Sequence, residues 1–520
     1  MKKNRLILAM AAAMLVSAAA FQSCGKEFLE AKPKGTHFES DYYRNRQEAF
    51  NGLVAVYDVI GWSTSNYTNK LSVMNVASDD MNAGGGSSSD LPHFQNMNKF
   101  TVTPADGPQE GLWAGGYAGV GRANVLLSKL PQTVMDETEK KRFVAESRFL
   151  RAYFYFDLVR IFKNIPLIKE PLLADNINLV EQVNPAEVYD FITTELKESL
   201  ADLPATVPVA TEGGRITKAA GHALLGKVLL YQEKFAEAAA QFAEVNGEPG
   251  QVSKFGNQLL PNFADLFVVT NKHNKESILE VNHTSLSAGT WGCVPCTEGN
   301  IINIMSAPRN YNLLDSTRGP GFVSGWGFFI PTKELAVWMK GDSRYAATIS
   351  NVDSLANVPL GADPTIMVVK YGQSHDNSGY FLKKYAGLAK DRSQGAGDAD
   401  LNFPQNTYEI RLADTYLLEA EALVRGGGNV GRALALLNAV RDRAHMTKKS
   451  GITLDDIVDE RRMELVGEGH RFFDLVRWKR AATVLKYKGF TENKNEILPI
   501  PLLELTNTML KQSKEYGGTL

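Results

Sequence analysis

The sequence predicts a mainly α-helical protein in which helix pairs form a scaffold around one long, loop-rich insertion. Apolar residues recur at helical spacing over 136–162, and this pattern stops before Pro166, which cannot continue a helix. Two further stretches, 217–245 and 411–444, each divide into two helical halves. Between them, residues 250–405 are rich in Gly, Asn, Ser and Pro and contain only short β-like runs, such as the one at 277–282 and another at 365–371.

The helical scaffold is predicted to occupy two parts of the chain, about 40–250 and 405–520. Segment 186–204 adds an amphipathic helix that a proline closes. Residues 79–100 share the polar, glycine-rich texture of the insertion. Because loops of this length inside a compact protein are usually functional, we expect the ligand-binding part of the chain at about 250–405.

The stretch 217–245 matches the tetratricopeptide pattern. Leu225 and Gly226 fall on its Leu-Gly pair, and Phe242 falls on a later aromatic position. Ala238 takes the small position where the two helices of a hairpin approach closely. The second hairpin turns at the glycine cluster RGGGN far downstream. Separate packed helix pairs are therefore predicted, not a continuous solenoid.

The chain begins with the pattern of a secretory signal peptide. Lys2, Lys3 and Arg5 precede an uninterrupted run of apolar or small residues at 6–20. That run is too short to span a bilayer comfortably, since ~20 apolar residues are needed. No later stretch approaches it in length, so we expect a soluble mature chain without an internal membrane helix.

Cys24 directly follows this leader and has two interpretations. Ordinary cleavage near Ser23 would leave it as a free or paired thiol. Alternatively, residues 1–23 are a lipoprotein signal peptide, and Cys24 is acylated as the new N-terminus. Phe21 and Gln22 make the lipoprotein cleavage box imperfect. We favour the lipoprotein, because an unpaired cysteine at this position is otherwise a liability and several acyl chains anchor a soluble domain stably.

The composition of the chain limits the classes of partner and cofactor that it is expected to bind. Lys and Arg total 56 and Asp and Glu total 58, so the net charge of -2 argues against a nucleic-acid partner. Cys293 and Cys296 lie in WGCVPC, where a local disulfide or two free thiols are expected. A redox C-x-x-C site is disfavoured because no thioredoxin-like strand and helix surround it. Zinc would need more ligands than His283 alone, so no metal or cofactor is predicted.

No catalytic motif stands out in the chain. The patterns H-E-x-x-H, G-x-S-x-G and the phosphate-binding loop are missing. The segment GVGRAN at 119–124 only weakly matches a dinucleotide-binding glycine motif and is assigned to a helix. A glycoside hydrolase needs just two carboxylates, so this alternative stays open. We predict no catalytic residues and a protein that is not an enzyme.

Acids and arginines interleave at three- and four-residue spacing near the C-terminus. This pattern favours ion pairs within and between helices over a catalytic set. Thr453 and Asp456 form a predicted capping box at the start of the segment. The charged residues of this cluster are Glu460, Arg461, Arg462, Glu464, Glu468, Arg471 and Asp474. The residues expected to fill the core beside them are Phe472, Phe473, Leu475 and Trp478.

Several motifs together resemble the SusD/RagB family. They are AESRFLRAYFYFDLVRIFKNIPLI, DERRMELVGEGHRFFDLVRWKR and the closing EILPIPLLELTNTMLKQSKEY, and Cys24 followed by FLE fits as well. The resemblance covers essentially the whole mature chain, 24–520, in order. Ser513 stands where the family usually has asparagine. Gly25, Lys26 and Glu27 are similar to the short signal that sends lipoproteins to the cell surface in Bacteroidetes.

The resemblance implies a lipid-anchored, surface-exposed nutrient-binding protein of a Bacteroidetes outer membrane. Such proteins have four tetratricopeptide-like helix pairs and a variable loop-rich part. They lie as a lid on a SusC-like TonB-dependent transporter and capture oligosaccharide or, in some members, peptide. The family has no enzymatic activity of its own.

A binding site for a neutral glycan needs flat aromatic faces bordered by amide, carboxylate and guanidinium groups. The loops offer such residues, although each aromatic could instead pack its loop onto the core. The predicted ligand-binding residues are Trp62, Asp80, Asn82, Trp291, Arg309, Tyr311 and Trp326. Trp113, Trp338 and Trp478, which lie in helical motifs, are predicted to be structural. Plant polysaccharide, host glycan and peptide all stay open as ligands.

Overall fold

The computed structural model describes residues 42–520 apart from residues 66, 294, 295 and 362. The predicted signal peptide and Cys24 lie outside the described residues. Within the described part, no helix is both long enough and apolar enough to cross a membrane.

Long helices dominate the chain before residue 250 and after residue 405. The helices of the first part are α1 (Arg46–Ser65), α2 (Lys70–Val76), α3 (Pro92–Asn98), α4 (Gln109–Lys129), α5 (Glu137–Phe162), α6 (Pro185–Asp202), α7 (Val209–Glu212), α8 (Lys218–Tyr231) and α9 (Phe235–Asn246). Short helices follow between the two parts: α10 (Ile302–Ser306), α11 (Lys333–Met339), α12 (Tyr345–Thr348) and α13 (Val352–Ala356). The helices of the last part are α14 (Leu412–Arg425), α15 (Val430–Arg443), α16 (Leu454–Leu465), α17 (Arg471–Arg477) and α18 (Ala481–Val484).

The predicted helix boundaries agree closely with those of the structure. Helix α5 begins after Asp136, whose side chain accepts a hydrogen bond of 2.9 Å from the backbone N–H of Glu139. The segment 119–124 lies inside α4, which confirms that it is helical and not a nucleotide-binding loop. The capping box of Thr453 and Asp456 is formed at the start of α16.

Close helix packing explains the small residues of the tetratricopeptide pattern. Ala238 is fully buried, and a Cβ at Gly226 would lie 2.7 Å from the ring of Phe242, so only glycine allows this approach of α8 to α9. Helix α9 packs in turn on α14, and α14 packs on α15, so the scaffold continues across the insertion. The prediction of a mainly α-helical, tetratricopeptide-like fold is confirmed.

Two-stranded antiparallel pairs organise the loops. The strands are β1 (Met81–Gly84), β2 (Ile165–Pro166), β3 (Gln182–Val183), β4 (Ser277–Val281), β5 (Arg309–Leu313), β6 (Phe328–Pro331), β7 (Ile349–Asn351), β8 (Pro359–Leu360), β9 (Asp363–Met367), β10 (Val369–Gly372), β11 (Tyr380–Leu382) and β12 (Thr407–Arg411). Pairing of β4 with β12 closes the insertion at its base, with Thr407 opposite Val281. Pairing of β1 with β6 attaches the 79–100 stretch to the insertion.

The β-run predicted at 365–371 is formed, but as two strands and not one. The run predicted at 365–371 is divided at Val368, which is buried, into β9 and β10. These two strands pair with different partners, β9 with β8 and β10 with β5. The chain changes its pairing partner at this point, and a run of apolar residues does not reveal such a change.

The charged cluster near the C-terminus forms buried ion pairs, as predicted. Arg461 donates from Nε to Asp474 Oδ2 and from Nη1 to Asp414 Oδ1, both at 2.8 Å. Burial alone would raise the pKa of Glu464, but the guanidinium groups of its buried neighbours hold that pKa well below its usual range. These neighbours are Arg443, Arg411 and Arg344. The cluster therefore joins α14 and α16 to the insertion.

The structure also tests the tryptophans that were predicted to be structural. Trp113 and Trp478 are buried, which confirms the prediction for both. Trp338 is 37% exposed, so it is not buried like the other two. It lies on the solvent side of α11, with the guanidinium carbon of Arg462 5.0 Å from its ring centroid.

Candidate functional site

Three aromatic side chains from separate loops form a row, called here the aromatic ladder: Tyr67, Trp326 and Trp291. The ring centroid of Trp326 lies 5.8 Å from that of Tyr67 and 5.8 Å from that of Trp291. The neighbouring ring planes are tilted by 49° and 40°, so the three rings are not coplanar. Trp291 is 49% exposed and the other two rings are half-buried. The three rings of the ladder are therefore partly exposed to solvent.

Trp326, the central rung, is fixed through its backbone. Its N–H donates to the carbonyl of Ile304 at 3.0 Å, and the flanking N–H groups of Gly325 and Gly327 donate to the carbonyls of two further residues. A Cβ at Gly325 would lie 2.4 Å from the Ile304 carbonyl oxygen, and Gly327 has a φ of +66°. The two glycines therefore allow the loop to lie tightly against α10, which fixes the backbone that carries the indole.

Trp291 lies in a loop that is tied down at its base. Its N–H donates to Asp398 Oδ2 at 2.8 Å, and the N–H of Asp398 donates to the carbonyl of Gly289 at 3.0 Å. Cys293 and Cys296 form a disulfide directly after the tryptophan. Of the two states left open by the sequence, disulfide or free thiols, the structure contains the disulfide.

Tyr67 is placed by the junction of two helices. It follows the end of α1 and precedes Asn69, whose side chain caps α2 by accepting from the N–H of Ser72 at 2.9 Å. Burial raises the pKa of Tyr67, so its phenol stays protonated and retains a donor at neutral pH.

A pair of charged side chains lies beside the central rung. Arg309 donates from Nη1 to the carbonyl oxygen of Trp326 at 3.0 Å, and the same Nη1 is 3.9 Å from Asp90 Oδ2. Asp90 also accepts a hydrogen bond of 2.6 Å from the N–H of Gly86. Both side chains stay about one-third exposed. They can offer donors and an acceptor to hydroxyl groups of a molecule stacked on Trp326.

Asn82 and Trp62, two other predicted residues, lie outside the ladder. The Asn82 side chain is half-buried and lies 3.5 Å from the carbonyl oxygen of Asp376. Trp62 is half-buried near the end of α1, and the guanidinium of Arg122 covers its ring at 4.9 Å from the centroid. Neither residue has a ring contact or hydrogen bond to the ladder among the contacts of the described residues.

Asp80 and Tyr311 are not accessible to a ligand, and we exclude both from the site. Asp80 is 2% exposed and accepts a hydrogen bond from Arg462 Nε at 2.7 Å, so its carboxylate is already paired inside the protein. Tyr311 is 6% exposed because it points inward from β5, packs on Phe322 and donates to the carbonyl of Pro320 at 2.7 Å.

Comparison with known proteins places this architecture in a family. A solved structure described as a laminarin binding SusD-like protein superposes with a TM-score of 0.86 and is 45% identical. The alignment covers 91% of this chain and 99% of that protein. The chain belongs to the SusD family.

Other SusD relatives agree with this assignment. Residues 368–500 match the model of the SusD family, and residues 27–230 match a family described as starch-binding and associating with the outer membrane. A SusD-like protein of Bacteroides ovatus is 29% identical over 92% of this chain and 83% of its own length. Surface glycan-binding protein A from Bacteroides thetaiotaomicron, solved in complex with laminarihexaose, superposes with a TM-score of 0.79 at 27% identity, covering 89% of this chain and 97% of that protein.

The sequence-based prediction missed three residues of this candidate site. Tyr67 lies in a short polar loop after α1, and an aromatic between asparagines and threonine was a usable signal. Asp90 and Asp398 lie in glycine- and serine-rich loops with no distinguishing pattern. Their roles depend on contacts with Arg309 and Trp291, which are distant in the chain.

Proposed function

We propose that this SusD-family protein binds an oligosaccharide on the aromatic ladder at the cell surface and is not an enzyme. The observation that supports the proposal most strongly is the row formed by Tyr67, Trp326 and Trp291. Each ring face can stack on the apolar face of one sugar ring. Aromatic stacking of this kind is worth about 1–3 kcal/mol per ring in the comparable case of nucleic-acid bases.

The tilt between neighbouring rings of the ladder favours a twisted glycan over a flat one. A ribbon-like chain would present coplanar sugar faces, whereas neighbouring rings here are tilted by 49° and 40°. The names of two similar proteins support the same choice, since one is described as laminarin binding and another was solved with laminarihexaose. We therefore propose laminarin-type β-1,3-glucan as the ligand class.

The polar groups of the site suit hydroxyl recognition better than catalysis. Asp90 is held by Arg309 and by the N–H of Gly86, and Asp398 accepts from the N–H of Trp291. Both carboxylates therefore already have hydrogen-bonding partners, which favours a fixed acceptor over a catalytic acid. The ligand is neutral, so affinity should change little with salt.

The membrane and transporter roles rest on the family. We propose that Cys24 carries the lipid anchor that holds the domain on the outer membrane. We further propose that the bound oligosaccharide passes to a SusC-like TonB-dependent transporter. Uptake of peptides or glycopeptides by the same route is the alternative. A secreted glycoside hydrolase is the second alternative, from a different class.

Titration of the purified mature chain with a ligand panel tests the proposal. The panel contains laminarihexaose, a cello-oligosaccharide, a malto-oligosaccharide and a mixed peptide pool. We expect saturable heat with laminarihexaose, less with the flat cello-oligosaccharide and no release of reducing ends. Binding of peptides alone would support the alternative ligand, and release of reducing ends would identify a hydrolase.

A further inference from the structure

Trp291 is held firmly on the N-terminal side of its loop. The carbonyl of Gly289 accepts from the N–H of Asp398 at 3.0 Å and from Asn402 Nδ2 at 3.1 Å. Two residues later, the N–H of Trp291 donates to the carboxylate of Asp398. These bonds fix the backbone that leads into the tryptophan, but they do not fix the backbone that leaves it.

The covalent link lies on the other side of the tryptophan. Cys293 donates from its N–H to the carbonyl of Thr290 at 3.0 Å, and its sulfur is bonded to that of Cys296. Directly after the disulfide, Thr297 packs so closely that a Cβ at Gly289 would lie 2.6 Å from its side chain. The loop therefore returns to its starting point, and the disulfide closes the part that follows Trp291.

We propose that the Cys293–Cys296 disulfide is a positioning element of the aromatic ladder. It restricts the backbone beside Trp291 so that the exposed indole stays 5.8 Å from Trp326 before a ligand arrives. Without the link, this segment has more conformations, and binding must order it again. The inference deepens the proposed function and depends on it.

The double variant Cys293→Ser, Cys296→Ser tests the role of the link. We expect its affinity for laminarihexaose to fall about 3- to 10-fold, the cost of ordering one or two side chains and their backbone. The unfolding midpoint should stay close to that of the parent. In a Trp291→Ala background, the same pair of substitutions should change affinity less than about 1.5-fold, because the disulfide acts through the indole.

A second measurement needs no ligand. In protein labelled with 5-fluorotryptophan, the fluorine resonance of Trp291 is assigned by its absence in the Trp291→Ala variant. In the double serine variant, the chemical shift and the linewidth of this resonance should both change. The resonances of buried Trp113 and Trp478 should stay unchanged and serve as internal controls.

The outcomes separate this inference from the proposed function. If the parent binds no glycan, the proposed function is wrong, and the disulfide then has no role in glycan affinity. If the parent binds laminarihexaose and the serine variant binds equally well, only the positioning role is overturned. An unchanged Trp291 resonance, or a loss of affinity that persists in the Trp291→Ala background, overturns it as well.

Discussion

The ring centroids of Trp291 and Trp326 lie 5.8 Å apart, with a 40° angle between the ring planes, although the residues come from two different loops. One loop is tied to Asp398 and the other to Ile304, so the contact joins two independently fixed backbones. This contact between two surface tryptophans is formed in the absence of a ligand. It makes the central tryptophan the residue whose removal is most informative.

Replacing Trp326 with alanine should weaken glycan binding by about 5- to 150-fold, because the variant loses one stacked ring. The unfolding midpoint should fall only slightly, since the indole is half-buried. Calorimetric titration with laminarihexaose measures the effect. Trp338→Ala is the matched control, because Trp338 is also partly exposed but lies on α11, where its ring contacts Arg462 and not a ring of the ladder. If the Trp326 variant and the parent bind laminarihexaose with equal affinity, the ladder is not the binding site.

Removing a buried charge should destabilise the protein without changing its affinity for the ligand. Arg461→Ala leaves Asp414 and Asp474 buried with one partner fewer, which should cost about 3–5 kcal/mol in unfolding free energy. Denaturant unfolding measures this loss. Arg480→Ala serves as the control, since its pair with Asp455 is exposed and should contribute little that is measurable. A fully stable Arg461 variant that no longer binds glycan would place the charged cluster in a binding site.

Stability should fall as the pH drops below neutral. Burial lowers the pKa of His283 from an ordinary 6.5 to about 4, so the folded chain binds this proton less readily than the unfolded chain. The contribution of neutral His283 to the unfolding free energy is complete above pH 6.5 and is lost as the pH falls towards 4. The loss amounts to about 2 kcal/mol between pH 7 and pH 5.

The histidine origin of this effect can be isolated by substitution. His283→Gln should reduce the difference in unfolding free energy between pH 7 and pH 5 by about that amount. The same pH dependence in the His283 variant as in the parent would show that another group is responsible.

Membrane attachment should depend on Cys24. If this cysteine is acylated, Cys24→Ala should move the protein from the membrane fraction to the soluble fraction, because the acyl chains supply the anchoring free energy. Immunoblots of fractionated cells measure the distribution. The experiment belongs in a strain without the transporter, so that protein–protein contact cannot retain the variant. Retention of Cys24→Ala in that strain would contradict the lipid anchor.

Local signals predicted the scaffold well. Helical spacing, the capping box of Thr453 and Asp456 and the small residues Gly226 and Ala238 act over a few residues or within one hairpin. The same holds for the charged cluster, whose regular spacing indicated ion pairs. Its partners in other segments, such as Arg344 and Arg411, could not be predicted, because they depend on how the insertion packs on the helices.

The site was predicted only in part for the same physical reason. Trp291, Trp326 and Arg309 were recognised from loop composition, and the structure brings them together. Tyr311 was taken for a loop residue, but it lies in β5, where side chains alternate between the two faces and this one faces the core. Asp80 is occupied by Arg462 from the distant C-terminal cluster, and no local pattern reveals such a contact.

A crystal structure of the mature chain with laminarihexaose tests the central claim most directly. The account predicts consecutive sugar rings stacked on Trp291, Trp326 and Tyr67, with hydroxyl groups near Arg309 and Asp90. A hexasaccharide bound elsewhere, with the ladder left uncovered, would contradict it.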